Sequence, residues 1–181
     1  MILFFGPAGA GKSVQGQILA ARMDWRWLSA GQLVRDSHDS ELTALMHEGK
    51  MVPHEKIIQI MGDAIHRSVD IDQLILDGFP RMREQAEWLI GSQPEHGRAI
   101  GMVVALEVPR EQLLKRLSLR GRADDNPESI DERLNLYRQE IDPILNYLTE
   151  QGVAVAHIDG TGTVGQVHDR IVAELTSRSL A

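Results

Sequence analysis

Gly6-Pro7-Ala8-Gly9-Ala10-Gly11-Lys12-Ser13 stands directly after the apolar run Met1-Ile2-Leu3-Phe4-Phe5, and it matches the pattern G-x-x-x-x-G-K-[ST] at every fixed position. Glycines let a backbone turn tightly enough for several N–H groups to converge on one anion, which a Cβ would obstruct. A helix opening at the end of the turn points its positive end at the same spot. Lys12 adds a mobile positive charge, and Ser13 offers a hydroxyl suited to a magnesium ion. A plain Gly-rich turn between a strand and a helix would also fit the string. Context decides between them: an apolar run of strand length precedes it, and helix-forming residues follow from Gln15 to Met23. A nucleotide phosphate is expected here.

The chain has 181 residues, the length of one ordinary domain with room for a core. With 43% hydrophobic and 25% charged residues it falls among globular chains. A net charge of −7 argues against a general nucleic-acid binder, which needs a basic face. Among the basic residues only Lys12, Lys50, Lys56 and Lys115 are lysines. Arginine is the residue suited to forked recognition of phosphate oxygens, so the basic set points to one anion-binding cleft. No cysteine is present, which excludes disulfides and thiolate metal sites. The histidines, His54 and His157 included, show no metal-ligand spacing, and no zinc is expected. No apolar run approaches membrane-spanning length, and no signal peptide of proper length precedes the first strand. The expectation is a soluble cytoplasmic protein that binds neither membrane nor nucleic acid.

Five short apolar runs, Ile2–Phe5, Trp25–Leu28, Leu74–Leu76, Met102–Val108 and Val153–Ile158, are each followed by a helical-looking segment. Continuously apolar strands suit a parallel sheet covered on both faces. Leu113, Leu114 and Leu117 fall at helical spacing over Arg110 to Arg120. A longer helix is predicted from Asn126 or Pro127 to Glu150, with Ile130, Leu134, Tyr137, Ile141, Leu145 and Leu148 on one stripe. Pro143 should bend or locally break it, and Gly152 should close it. Trp25 and Trp27 are read as one packed and one outward side chain. These elements predict a single α/β domain over 1–181, a three-layer sandwich with a five-stranded parallel sheet. Residues 30–56 form a helical insertion after the second strand, and 121–125 a very short connection between two helices. In such folds ligands gather at the carboxyl ends of the strands.

Leu74-Ile75-Leu76-Asp77-Gly78-Phe79-Pro80-Arg81 is the second informative stretch. An apolar strand ending in Asp is where phosphate-loop enzymes place a carboxylate near the magnesium ion, often through water. Asp77 could equally cap the turn before the helix Met82–Ile90; the attached Gly78-Phe79-Pro80-Arg81 tips the balance.

At this point the chain resembles the adenylate kinases and, more broadly, the nucleoside monophosphate kinases, a phosphate-loop NTPase fold. The resemblance runs from Ile2 to about Val172. It rests on Gly6–Ser13, Ser29–Arg35, Gly49–Pro53, and Asp77–Arg81 with Gln85. It continues through Val108-Pro109 with Arg116 and Arg120, Arg122–Asp125 with Arg133, and Asp159–Gly162. The resemblance implies magnesium-dependent, reversible transfer of a phosphoryl group from ATP to AMP, giving two ADP. It implies that Gly9, Ala10, Gly11, Lys12 and Ser13 hold the ATP phosphates and that Gly6 and Val14 also belong to the ATP site, with Lys12 bridging toward the transferred group and Ser13 and Asp77 near magnesium. Arg116 resembles the arginine along the ATP base and phosphates, and the turn ending in Gly162 the one that meets the adenine. Ala30, Gly31, Arg35, Lys50, Met51, Val52, Gly78, Phe79, Arg81 and Gln85 would surround the monophosphate, with Arg35 and Arg81 on its phosphate and Gln85 reading its base by paired hydrogen bonds. Arg120, Arg122 and Arg133 resemble the arginines that converge on the transferring group. The chemistry agrees, because phosphoryl transfer needs alignment and charge neutralisation more than a protein nucleophile.

Three departures stand out. Relatives usually read Gly-Lys-Gly-Thr where this chain has Gly11-Lys12-Ser13-Val14, so the hydroxyl sits one place earlier. Adenylate kinases usually carry Thr at Ala30; Ala there resembles the UMP/CMP kinases, while Gln85 points back to AMP. Only Gly121 separates Arg120 from Arg122, where the family has a loop or a small lid domain. The expectation is therefore an adenylate kinase with a vestigial lid, against the alternatives of a UMP/CMP kinase or a non-catalytic nucleotide sensor. It should be a monomer, or an oligomer where a partner subunit replaces the lid.

Overall fold

The structure, a computed structural model, describes residues 1–47, 52–120 and 127–181, with backbone alone at 46, 47, 120, 127–133, 136 and 138. β1 (Ile2–Phe5), β2 (Arg26–Ser29), β3 (Leu74–Asp77), β4 (Met102–Glu107) and β5 (Ala154–Asp159) form one sheet in the order β2-β3-β1-β4-β5. Every pairing is parallel, and each strand lies within one residue of the apolar run that predicted it. After β1 comes α1 (Lys12–Met23). After β2 come α2 (Ala30–Asp36), α3 (Ser40–His47) and α4 (His54–His66). β3 leads to α5 (Arg83–Gly91) and the short α6 (Gln93–His96), β4 to α7 (Arg110–Arg120) and α8 (Pro127–Glu150), and β5 to α9 (Val164–Ser177).

The period of two along the strands builds two cores. Leu3, Leu76, Val103 and Ala105 face the layer that holds Met61 and Ile65 of α4, Ala86 and Leu89 of α5, and Ile141, Ile144 and Leu148 of α8. Ile2, Phe4, Ile75, Val104 and Ile158 face Leu19 of α1, Leu113 and Leu117 of α7, and Ile171 and Leu175 of α9. The two layers of helices and the sheet between them are the expected three-layer sandwich.

Pro143 lies inside one continuous 24-residue helix, so it does not break α8. Ile141 and Ile144 beside it are buried, and that apolar anchorage offsets the one backbone hydrogen bond a proline removes. The stripe on α8 is also split: Leu134 joins the opposite core from Ile141 and Leu148. Trp25 and Trp27 both pack, half-buried, against the α1 side of the sheet. Residues two apart share a strand face, so one inward and one outward ring was the wrong expectation. Gly152, at φ +80°, ends α8 as expected.

The turn between α4 and β3 is held by Arg98, whose guanidinium donates to the carbonyls of Ser68, Val69, Ile71 and Asp72. Among the described residues no helix is long and apolar enough to cross a membrane. Because all strands run one way, the connections after β1, β3, β4 and β5 emerge at one edge of the sheet, with β1 between β3 and β4.

Candidate active site

The loop from Gly6 to Gly11 leaves the centre of that edge. Gly9 and Gly11 take φ of +82° and +101°, a left-handed conformation that side chains resist. The amide of Ala10 donates to the Pro7 carbonyl at 3.1 Å, closing the turn. Gly11 is the N-cap of α1 and brings no side-chain cap, so the first N–H groups of the helix remain available to an anion. Lys12 curls back over the loop, its Nζ donating to the carbonyls of Gly6 at 2.6 Å and Pro7 at 3.1 Å.

Ser13, on the first turn of α1, donates its hydroxyl to Asp77 Oδ2 at 2.6 Å. Asp77 ends β3, is 3% exposed, and stands in register with Phe4 on one side and Ser29 on the other. A buried carboxylate and a hydroxyl are hard oxygen donors, the set that Mg²⁺ prefers.

Downstream of Asp77 the chain turns at Gly78 (φ +73°) and passes a cis Phe79–Pro80 bond, with the Phe79 ring fully buried. Arg81 folds back, its Nε donating to the Gly78 carbonyl at 3.1 Å, and its amide donates to Gln85 Oε1 at 2.8 Å. Gln85 is 2% exposed. One lone pair of its oxygen is thus taken up within the chain; a second lone pair and the two amide hydrogens carry any further recognition. Arg81 also borders a cleft of about 410 Å³ shared with Met82, Arg83, Glu84, Glu140 and Pro143.

Opposite Asp77, Ser29 accepts from the Gln32 amide at 3.4 Å as the N-cap of α2. Ala30 is buried beside it and Gly31 half-buried. Arg35 is exposed and donates to Gln32 Oε1 at 2.7 Å, while Gln32 donates to Asp36 Oδ1 at 2.7 Å. Val52 is half-buried just before α4.

On the other flank, Arg116 of α7 donates to the carbonyls of Gly160 at 2.8 Å, Ala10 at 3.3 Å and Gly9 at 3.4 Å. One guanidinium thereby joins the phosphate loop to the turn after β5. That turn is built locally. Thr161 N–H donates to Asp159 Oδ1, Arg170 of α9 donates to the carbonyls of Asp159 and Thr161, and Thr163 with Gln166 forms a capping box after Gly162. The Thr161 hydroxyl and amide hold the Asp159 carboxyl below its ordinary value. Val14 and Val164 are exposed at the openings of α1 and α9.

The structure brings the loop, Ser13, Asp77, Arg116 and the Gly160 turn into one contiguous set, with Arg81 and Gln85 following Asp77 in chain. Lys50, Met51 and Arg122 lie outside the described residues, as do the side chains of Arg120 and Arg133. Sequence reasoning missed three participants. Tyr137 counted only as part of an apolar stripe, yet the Gly6 amide and the Arg81 guanidinium both act on its phenol. Burial outweighs them and pushes its pKa well above the ordinary range. Gln15 and His168, both 3% exposed, meet each other between α1 and α9, and Gln15 also donates to the Val164 carbonyl at the opening of α9. His157 Nδ1 lies 2.7 Å from Glu107 Oε1.

A family model described as adenylate kinase matches residues 4–153. An adenylate kinase of Thermus thermophilus is 36% identical over 185 residues, covering 96% of each chain. One of Deinococcus radiodurans is 35% identical, with 96% of this chain and 95% of the relative covered. One of Porphyromonas gingivalis is 34% identical over 94% and 92%.

Proposed function

The chain belongs to the adenylate kinase family and has adenylate kinase activity, and from that membership we propose how its own side chains carry transfer of the γ-phosphoryl of ATP to AMP. The loop amides from Gly9 to Ser13 cradle the ATP phosphates. Lys12 leaves the Gly6 and Pro7 carbonyls to follow the transferred group. Arg116 lies along the base and phosphates, with Val14 and the Gly162 turn beside the adenine. Ser13 and Asp77 hold Mg²⁺, which when bound neutralises charge on the β- and γ-phosphates. Ala30, Gly31, Arg35, Lys50, Met51, Val52, Gly78, Phe79, Arg81 and Gln85 form the acceptor site. Arg35 and Arg81 grip the AMP phosphate, and Gln85 reads the base with the hydrogen-bonding capacity that Arg81 leaves it. Arg120, Arg122 and Arg133 gather the negative charge that spreads over the transferring group.

Residues 30–56 serve as the acceptor-binding insertion. With one residue between Arg120 and Arg122, residues 121–125 act as the remnant of a lid, and closure falls mainly to the insertion. The observation that most supports this reading is the Ser13–Asp77 contact beside the opening of α1, which has no side-chain cap. The test is a coupled assay with AMP, CMP, UMP, GMP and dTMP as acceptors. AMP should be preferred by at least about tenfold in kcat/KM, a difference of about 1.4 kcal/mol. A preference for CMP or UMP would overturn the acceptor assignment at Ala30 and Gln85.

A further inference from the structure

Gln15 is the fourth residue of α1, two beyond Ser13, and its side chain is buried. Its Nε2 donates to the carbonyl of Val164 at 2.9 Å, at the opening of α9 and two residues past Gly162. Its Oε1 lies 3.3 Å from Nδ1 of His168, one turn along the same helix. The amide has only one workable orientation, since a flipped amide would set its oxygen against the Val164 carbonyl. With Oε1 facing the ring, Nδ1 must carry the hydrogen. His168 Nε2 is then a bare acceptor, and it is buried without a partner among the described residues. Both side chains are therefore held neutral and in single states between α1 and α9.

ATP has to reach from the loop at the head of α1 to the turn at the head of α9. Arg116 links those two segments from the nucleotide side, and Gln15 links them from beneath. We propose that Gln15 and His168 are positioning residues for the phosphoryl donor: a buried brace that sets the spacing between the phosphate loop and the Asp159–Gly162 turn, and so seats the triphosphate and the base of ATP together. The inference rests on assigning that turn to the ATP base. It concerns the donor, because among the described residues the hydrogen bonds of these two side chains run to Val164 and to each other.

Burial is the largest reason the His168 pKa lies below its ordinary value of 6.5; Arg22 of α1 adds to the effect and Asp169 of α9 opposes it. Protonation at Nε2 would place a charge in the brace. The brace should accordingly loosen in acid.

The test compares wild type with Gln15→Leu, His168→Leu and His168→Asn in steady-state assays varying ATP and AMP separately. Asn carries an amide donor close to the place of Nδ1 and cannot become charged. The Leu variants should raise KM for ATP about tenfold, equivalent to about 1.4 kcal/mol, with KM for AMP within about twofold. His168→Asn should stay close to wild type at pH 7.5 and lack the rise in ATP KM expected of wild type in acid, once the pH falls to the lowered His168 value. A fall in melting temperature with both KM values unchanged, or an equal rise in both, would overturn the proposal. Should His168→Leu fail to fold, an acid rise identical in wild type and His168→Asn would overturn it alone. Absence of ATP-dependent activity in wild type would instead remove the functional assignment beneath it.

Discussion

Ser13 Oγ stands 2.6 Å from Asp77 Oδ2, a contact between the first turn of α1 and the last residue of β3. Both oxygens are of the hard kind that suits Mg²⁺. Asp77→Asn keeps an acceptor for Ser13 but removes the buried charge. It should lower kcat about a hundredfold, near 2.7 kcal/mol on the barrier, and shift the Mg²⁺ requirement upward. Rates measured against free Mg²⁺ decide the matter; an unchanged Mg²⁺ curve would leave Asp77 as a turn cap.

Lys12→Ala should separate catalysis from stability. Transfer should fall by roughly three orders of magnitude, because the lysine is assigned to the migrating charge. Without nucleotide the contacts given up include the hydrogen bonds to Gly6 and Pro7, and the expected cost is about 1 kcal/mol, or about 2–4 °C in melting temperature. Saturating ATP should stabilise wild type by about 2.7 kcal/mol at a hundredfold excess over Kd and the variant far less. Thermal melts with and without ATP measure both. A larger loss in the free protein than in the nucleotide response would make Lys12 a structural residue.

Gly16 sits mid-helix in α1, where alanine would ordinarily gain about 1 kcal/mol. Here a Cβ would come within 2.7 and 2.9 Å of the Trp27 indole ring. The ring packs on the same core as Ile75, so it must shift, at a cost of about 1–3 kcal/mol. Overpacking should win. Gly16→Ala is expected to melt about 2–4 °C lower with altered tryptophan emission, whereas a raised melting point would mean the ring turns aside freely.

The legible parts of the molecule are those whose signal is local or periodic. Leu74–Leu76 reads as an uninterrupted apolar run because a strand buried on both faces favours apolar side chains on each. The loop from Gly6 to Ser13 announced itself because an anion cradle needs those residue types at that spacing. Gln15 and His168 gave no such sign: they meet across 153 positions, and nothing in either neighbourhood distinguishes a buried amide from an exposed one. Tyr137 was legible as an apolar body and illegible as a hydroxyl near Gly6, because its ring dominates the helical stripe. Trp25 and Trp27 were misread through the strand period itself, although two positions apart means one face. Arg35 and Arg81 became candidates only through resemblance, since an exposed arginine on a helix is otherwise ordinary.

Stability should also depend on pH through His168. Above 6.5 both folded and unfolded chains hold it neutral, and its contribution is complete. As pH falls below 6.5 the unfolded chain takes up a proton that the folded chain resists, so stability declines until the pH passes the lowered folded value. The slope from this one group is at most about 1.4 kcal/mol per pH unit. Urea unfolding at pH 7.5 and 5.0 should show a larger acid loss in wild type than in His168→Asn. Equal losses would place the sensitivity elsewhere.

The last prediction concerns water. A kinase must present the γ-phosphoryl to AMP while denying it to solvent, and closing segments achieve this by expelling water from the site. Only Gly121 stands between Arg120 and Arg122 in this chain, so little polypeptide is available there to cover the nucleotide. The insertion at 30–56 is assigned to close on AMP, which leaves ATP alone poorly shielded. ATP without AMP should therefore be hydrolysed at more than about 1% of the coupled rate, a leak that a full lid would suppress. Inorganic phosphate is the product to follow, because transfer to AMP releases none. Adding AMP should suppress phosphate release as the acceptor site fills, since an occupied site both closes the insertion and takes the phosphoryl group. Release below about 1% would show that the short connection suffices, and release indifferent to AMP would show that shielding does not depend on the insertion.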